Sequence, residues 1–191
     1  MLSSGIKFNP FKFYQTTQNL KTRLKKLINS KSPVLNSLDK SYKFSYDKKR
    51  ILRFKKNKNF RVIGMGGSIL GTQAIHDFLR HKIKKKFIFI DNLKSVQKKE
   101  TKTFTNIVVS KSGNTIETIV NANLLIKKSD QNIFITENKP NYLNILANKL
   151  KSEIIHHNNY IGGRYSVLSE VVMLPAELMG LNPKKFKIII R

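Results

Sequence analysis

From Phe60 onward, apolar runs of strand length alternate with helix-length amphipathic segments, and this alternation restricts the chain to few folds. Strands separated by helices build βαβ units, whose strands lie parallel in one sheet. The runs VIGM, FIFI, IVVS and IFIT are apolar on both faces, as strands covered by helices on both sides must be. The pattern places strands at Phe60–Met65, Lys86–Asp91, Asn106–Ser110, Asn132–Thr136 and Glu153–His156. Helices are expected at about Ile69–His81, Lys94–Thr103, Asn114–Lys128 and Tyr142–Leu150. A last one should run from Ser166 to Met179, with Gly180 as its stop signal. The expected fold is therefore α/β, a Rossmann-like parallel sheet of about five strands flanked by helices. Residues 1–58 are polar and weakly periodic. Leu20, Leu27 and Leu35 suggest one or two helices there, followed by an extended or helical stretch around Tyr46 to Phe54. They read as a helical N-terminal extension to a domain spanning 59–191.

Composition narrows the function classes. The chain has 191 residues and no cysteine, which excludes a disulfide scaffold, a thiolate zinc site and a cysteine nucleophile together. No uninterrupted apolar run approaches the ~18 residues of a membrane helix, so no membrane partner is expected. Net charge is +26, from 37 Lys and Arg against 11 Asp and Glu. Such a surplus concentrates polyanions and raises the question of nucleic acid. The lysines, however, are spread from Lys7 to Lys187 without interleaved aromatic stacking residues, and the chain is also rich in asparagine and isoleucine. The composition therefore predicts only nonspecific nucleic-acid binding. The amino terminus is acid-free up to Asp39 and resembles a transit peptide, but acid is scarce throughout the chain.

Three segments carry polar chemistry. Gly64-Met65-Gly66-Gly67-Ser68-Ile69-Leu70-Gly71 sits at a strand-to-helix turn, where glycines admit close approach and helix N–H groups face an anion. Asp91, closing the next strand, makes a dinucleotide reading tempting, but the third glycine of that fingerprint would fall at Ile69. Ser110-Lys111-Ser112-Gly113-Asn114-Thr115 follows the third strand and opens a helix, bringing three hydroxyls and an ammonium to one helix start. That set suits a phosphate, and it lacks the Walker spacing of a nucleoside triphosphate loop. The bland alternative is a cap by Ser112 or Asn114, with Glu117 closing the box. Tyr160-Ile161-Gly162-Gly163-Arg164-Tyr165-Ser166 delivers one permanent cation to the mouth of the last helix, fit for an anionic ligand or for tying a loop to a carboxylate.

Together, GMGGSILGTQAI, SKSGNTIET and IGGRYSVLSEVVMLPAELMG, in this order on alternating strands and helices, resemble the phosphoglucose isomerase family and, more broadly, the sugar isomerase (SIS) domain. The likeness runs from about Phe60 to Gly180, and GGRYSVLS is its most specific part. It implies a cytoplasmic aldose–ketose isomerase of glycolysis and gluconeogenesis, homodimeric at full length and free of cofactor and metal, acting on glucose 6-phosphate and fructose 6-phosphate. It implies that Gly67 and Ser68 sit beside the substrate, and that Ser110, Lys111, Ser112 and Thr115 hold the sugar phosphate. Glu117 would contribute to the polar wall. Arg164, delivered by Gly163, would stabilise the enediolate. Family members are longer, and their general-base glutamate, ring-opening histidine and a further lysine lie beyond the arginine segment, so the chain is expected to represent one SIS domain with the second missing. The likeness assigns no base role to Glu170 or Glu177, and His156 and His157 read as structural. The alternatives are a non-catalytic SIS module that binds sugar phosphates and a basic nucleic-acid-binding protein.

Overall fold

The computed structural model describes residues 18–30, 32–93 and 102–187. Five parallel strands form one sheet: β1 (Asn59–Gly64), β2 (Lys86–Ile90), β3 (Thr105–Val109), β4 (Gln131–Glu137) and β5 (Glu153–His157), in the order β2-β1-β3-β4-β5. Each strand lies within one residue of its expected position at either end. The expected helix at Lys94–Thr103 falls almost wholly outside the described residues.

Alternation along the strands decides which helix covers which face. Val62, Ile107, Val109, Ile133 and Ile135 pack with α3 (Lys48–Lys55), α4 (Leu70–Phe78) and α7 (Glu170–Leu178) through Ile51, Phe54, Ile69 and Val172. Ile63, Val108 and Phe134 point the other way, onto Ala122 of α5 (Ile116–Leu125) and Leu143 and Ala147 of α6 (Tyr142–Lys149). Most of these side chains are fully buried, and each contributes on the order of 1.5–3 kcal/mol relative to exposure. Tyr46, Ile51 and Phe54 share the first core, so the stretch before β1 is packed into the sheet domain. Ahead of it lie α1 (Gln18–Asn29) and the short α2 (Pro33–Asn36); α8 (Pro183–Phe186) follows α7.

The helices depart from expectation mainly at their ends. α4 stops at Phe78 and gives way to a tight 3₁₀ turn at Arg80–Lys82. α5 starts later than Asn114, because Thr115 is extended (φ −68°, ψ 118°) and the residues before it form the loop. The last helix is split: a 3₁₀ segment covers Gly163–Leu168, and α7 begins only after Ser169, whose side chain accepts from the Val171 amide. At the amino ends of the strands, the buried Arg61 lies over the Phe104 ring and donates to Asn106 and the Leu125 carbonyl. Asn106 in turn donates to Asn132, a polar ladder across β1, β3 and β4.

Candidate sugar-phosphate site

Parallel register aligns the carboxyl ends of the strands, with Gly64 opposite Val109 and Val109 opposite Ile135. The strand order reverses between β1 and β3, and in open α/β sheets such a switch point forms a crevice. The glycine loop leaves β1 and the serine loop leaves β3 at that point. A Cβ built on Gly64 would lie 3.0 Å from the Val109 carbonyl and 3.3 Å from Ser68 Cβ, so the two loops start side by side. The arginine loop leaves β5, three strands away, about 14 Å at ordinary strand spacing. It crosses the sheet edge back to β1: a Cβ on Gly67 would collide with the backbone of Gly163 and come 3.0 Å from the Arg164 amide. Only glycine permits that approach. Ser166 fastens it, its buried hydroxyl lying 2.7 Å from the Gly163 carbonyl and 3.3 Å from that of Gly67.

In the serine loop, the Ser110 and Thr115 hydroxyls lie 2.9 Å apart, and the Gly113 amide donates to Ser110 Oγ. Ser112 Oγ accepts from the Asn114 amide, and Asn114 accepts from the Tyr142 amide at the start of α6. Neither Ser112 nor Asn114 caps α5, whose N-cap residue, Thr115, makes no side-chain cap hydrogen bond among the described residues. Its amides are therefore left to a ligand or water. Lys111 Nζ reaches Glu137 Oε1 at 3.2 Å, while Lys139 approaches the other carboxylate oxygen at 3.3 Å. Burial pushes the Glu137 carboxyl up, but bonds from the two ammonium groups outweigh it and hold the carboxyl below its ordinary range. Two cations on one carboxylate leave a net positive charge beside the loop. Ser68 and Glu117 are half-buried, on the turn before α4 and on the first turn of α5. Arg164 is exposed, with no hydrogen bond or ion pair among the described residues.

Sequence reasoning missed what holds the arginine loop. His157 and Glu170 are fully buried, with Nδ1 2.9 Å from Glu170 Oε1 and Nε2 2.9 Å from the Ile161 carbonyl. The ring is thus held at both of its nitrogens. Glu170 also accepts from the Asn158 amide and the Tyr42 hydroxyl. Burial pushes its carboxyl up, but the His157 and Asn158 bonds outweigh that and hold it below its ordinary range. The pair anchors both sides of the turn that precedes Gly162. His156, by contrast, is exposed.

The fold and these loops define a doubly wound α/β domain with a crevice at its switch point, rimmed by backbone amides and hydroxyls. Residues 44–184 match the family model for phosphoglucose isomerase. The glucose-6-phosphate isomerase of Campylobacter jejuni is 32% identical over 166 residues, covering 78% of this chain and 39% of the relative. That of Methanocaldococcus jannaschii is 35% identical over 142 residues, covering 67% of this chain and 34% of the relative. Among solved structures, a hypothetical protein from Thermus thermophilus superposes with a TM-score of 0.65 at 20% identity, covering 89% of this chain and 45% of that one. The chain belongs to the phosphoglucose isomerase family and spans somewhat over a third of the length of these curated relatives. Among the described residues, no helix is long and apolar enough to cross a membrane, and no three His, Cys, Asp or Glu side chains cluster as a metal site would need.

Proposed function

We propose that residues 59–191 are the SIS portion of an aldose–ketose isomerase that binds glucose 6-phosphate and fructose 6-phosphate in the crevice between the three loops. The observation that carries this reading is the uncapped start of α5, rimmed by Ser110, Ser112 and Thr115 and set against the glycine loop, in a chain of this family. The α5 amides and the three hydroxyls hold the phosphate, and Lys111, sharing Glu137 with Lys139, supplies charge without being consumed by that pair. Gly67 and Ser68 form the wall beside the sugar, and Glu117 contributes to its polar lining. Arg164, delivered by Gly163 and free of protein partners among the described residues, faces the enediolate oxygen formed when the C2 proton leaves. One such donor commonly supplies ~3–4 kcal/mol of barrier reduction.

Binding should depend on the serine loop. Ser112→Ala and Thr115→Val each remove a hydrogen bond to a charged group, about 1.5–3 kcal/mol, or roughly tenfold or more in affinity for 6-phosphogluconate by calorimetry. Unchanged affinity in both variants would rule out the crevice. The chain alone should not approach ordinary turnover of about 10 s⁻¹ in a coupled assay, since none of its residues is assigned the C2 proton and a positioned base contributes ~10²–10⁴-fold. Turnover at that level would show that a residue of this chain serves as the base.

A further inference from the structure

A second basic site lies at the opposite end of the sheet. The strands run from Lys58 and Lys85 toward the crevice, and at their starting edge the end of α7 and the segment before α3 enclose a cavity of about 740 Å³. Seven of its sixteen lining residues are lysines, against thirty lysines in the 191 residues of the chain. Its single carboxylate, Glu177, is neutralised within the wall: Lys55 Nζ lies 2.8 Å from one oxygen, and the Tyr46 hydroxyl donates to the other at 2.9 Å. Lys85 uses two of its N–H groups on the Lys55 and Leu178 carbonyls, and burial followed by the neighbouring Lys55 lowers its pKa. Lys187 is held by the Ser37 and Asp39 carbonyls over the faces of Tyr42 and Phe44. On the rim, Lys40, Lys43, Lys48 and Lys184 are exposed and have no acidic partner among the described residues.

A concave wall carrying one sign of charge focuses its field into the cavity. The cavity exceeds a single phosphate, and the exposed ammonium groups in its lining come from separate elements, the Lys40–Lys48 segment and α8. A duplex nucleic acid, about 20 Å across, cannot enter a volume of this size. We propose that the cavity binds a compact oligophosphate, the chemistry shared by inorganic tripolyphosphate and the tail of a nucleoside triphosphate, at a site separate from the sugar-phosphate crevice.

The test is calorimetry on the whole chain at about 150 mM salt, which screens long-range attraction. The probes are tripolyphosphate, ATP and orthophosphate. Tripolyphosphate should bind at one site, and orthophosphate at least about tenfold more weakly, since charge-assisted bonds are worth roughly that factor each. Lys43→Glu with Lys184→Glu should cost about a hundredfold, whereas Lys26→Glu with Lys149→Glu, equal in net charge but outside the cavity lining, should change affinity less than about threefold. Equal loss in both double variants, or no saturable binding, overturns the proposal. ATP binding as tightly as tripolyphosphate identifies the nucleotide as the source; tripolyphosphate binding alone identifies the inorganic ion. Retention of tripolyphosphate binding in Ser112→Ala and Thr115→Val is expected, and its loss would overturn the proposal by returning the ligand to the crevice.

Discussion

Glu170→Ala is expected to destabilise the fold by about 3–5 kcal/mol, because it removes the buried acceptor shared by the His157 ring, the Asn158 amide and the Tyr42 hydroxyl. At roughly 2–4 °C per kcal/mol for a chain of this size, melting should fall by about 6–20 °C. Glu170→Gln keeps the shape and should lose less, but it should change the acid limb of the stability curve. The folded carboxyl gives up its proton at lower pH than the unfolded one, so unfolding takes up a proton between the two values. Its contribution is complete above the ordinary carboxylate range and drains away as pH falls through the folded value. Thermal melts from neutral to acid pH should therefore be flatter for the glutamine variant. A Glu170→Ala chain that melts within ~2 °C of the parent would refute the anchoring role of Glu170.

Gly67→Ala should damage the crevice although it removes no polar group. The added methyl meets the Gly163 backbone, so no side-chain rotation can relieve the contact and the two loops must separate. Overpacking of this kind costs about 1–3 kcal/mol. Displacing Arg164 and the α4 start should also weaken 6-phosphogluconate binding by on the order of tenfold, the value of one charge-assisted bond. The adjacent Gly66 is the control: a Cβ there meets nothing within 4 Å, though φ is +51°. Gly66→Ala carries only the left-handed backbone penalty of about 1–2 kcal/mol and should spare affinity. Denaturant melts paired with calorimetry separate the two. Equal affinities would mean that the Gly67–Gly163 contact does not shape the crevice.

The sheet was legible because its strands are short, apolar on both faces and bounded by turn residues; VIGM, IVVS and IFIT admit no amphipathic helix. Glycine and hydroxyl spacing points to two of the three loops, and an arginine behind a glycine pair to the third. What stayed hidden was every pairing made by the fold rather than by proximity along the chain. His157 meets Glu170 thirteen residues on, across the 3₁₀ segment, and Lys111 meets Glu137 from the neighbouring strand. The capping alternative fails for the same reason: Asn114 looks like a cap for α5, yet it accepts from the Tyr142 amide at the start of α6, twenty-eight residues away. The lysines looked scattered from Lys7 to Lys187, but the sheet gathers seven of them around one cavity.

The backbone contact between the glycine and arginine loops also bears on how such a chain can change over time. Lysine is absent from positions 61–80 and 152–183, the stretches that run from the strands through these two loops into α4 and α7, although it fills almost one position in six overall. A core side chain that grows can be accommodated when its neighbour shrinks. Gly163 has no side chain to give up, so a substitution at Gly67 has no compensating partner. Compositional drift can recoat the helices and rims of this protein with lysine and asparagine, whereas the position of Gly67 is closed to it.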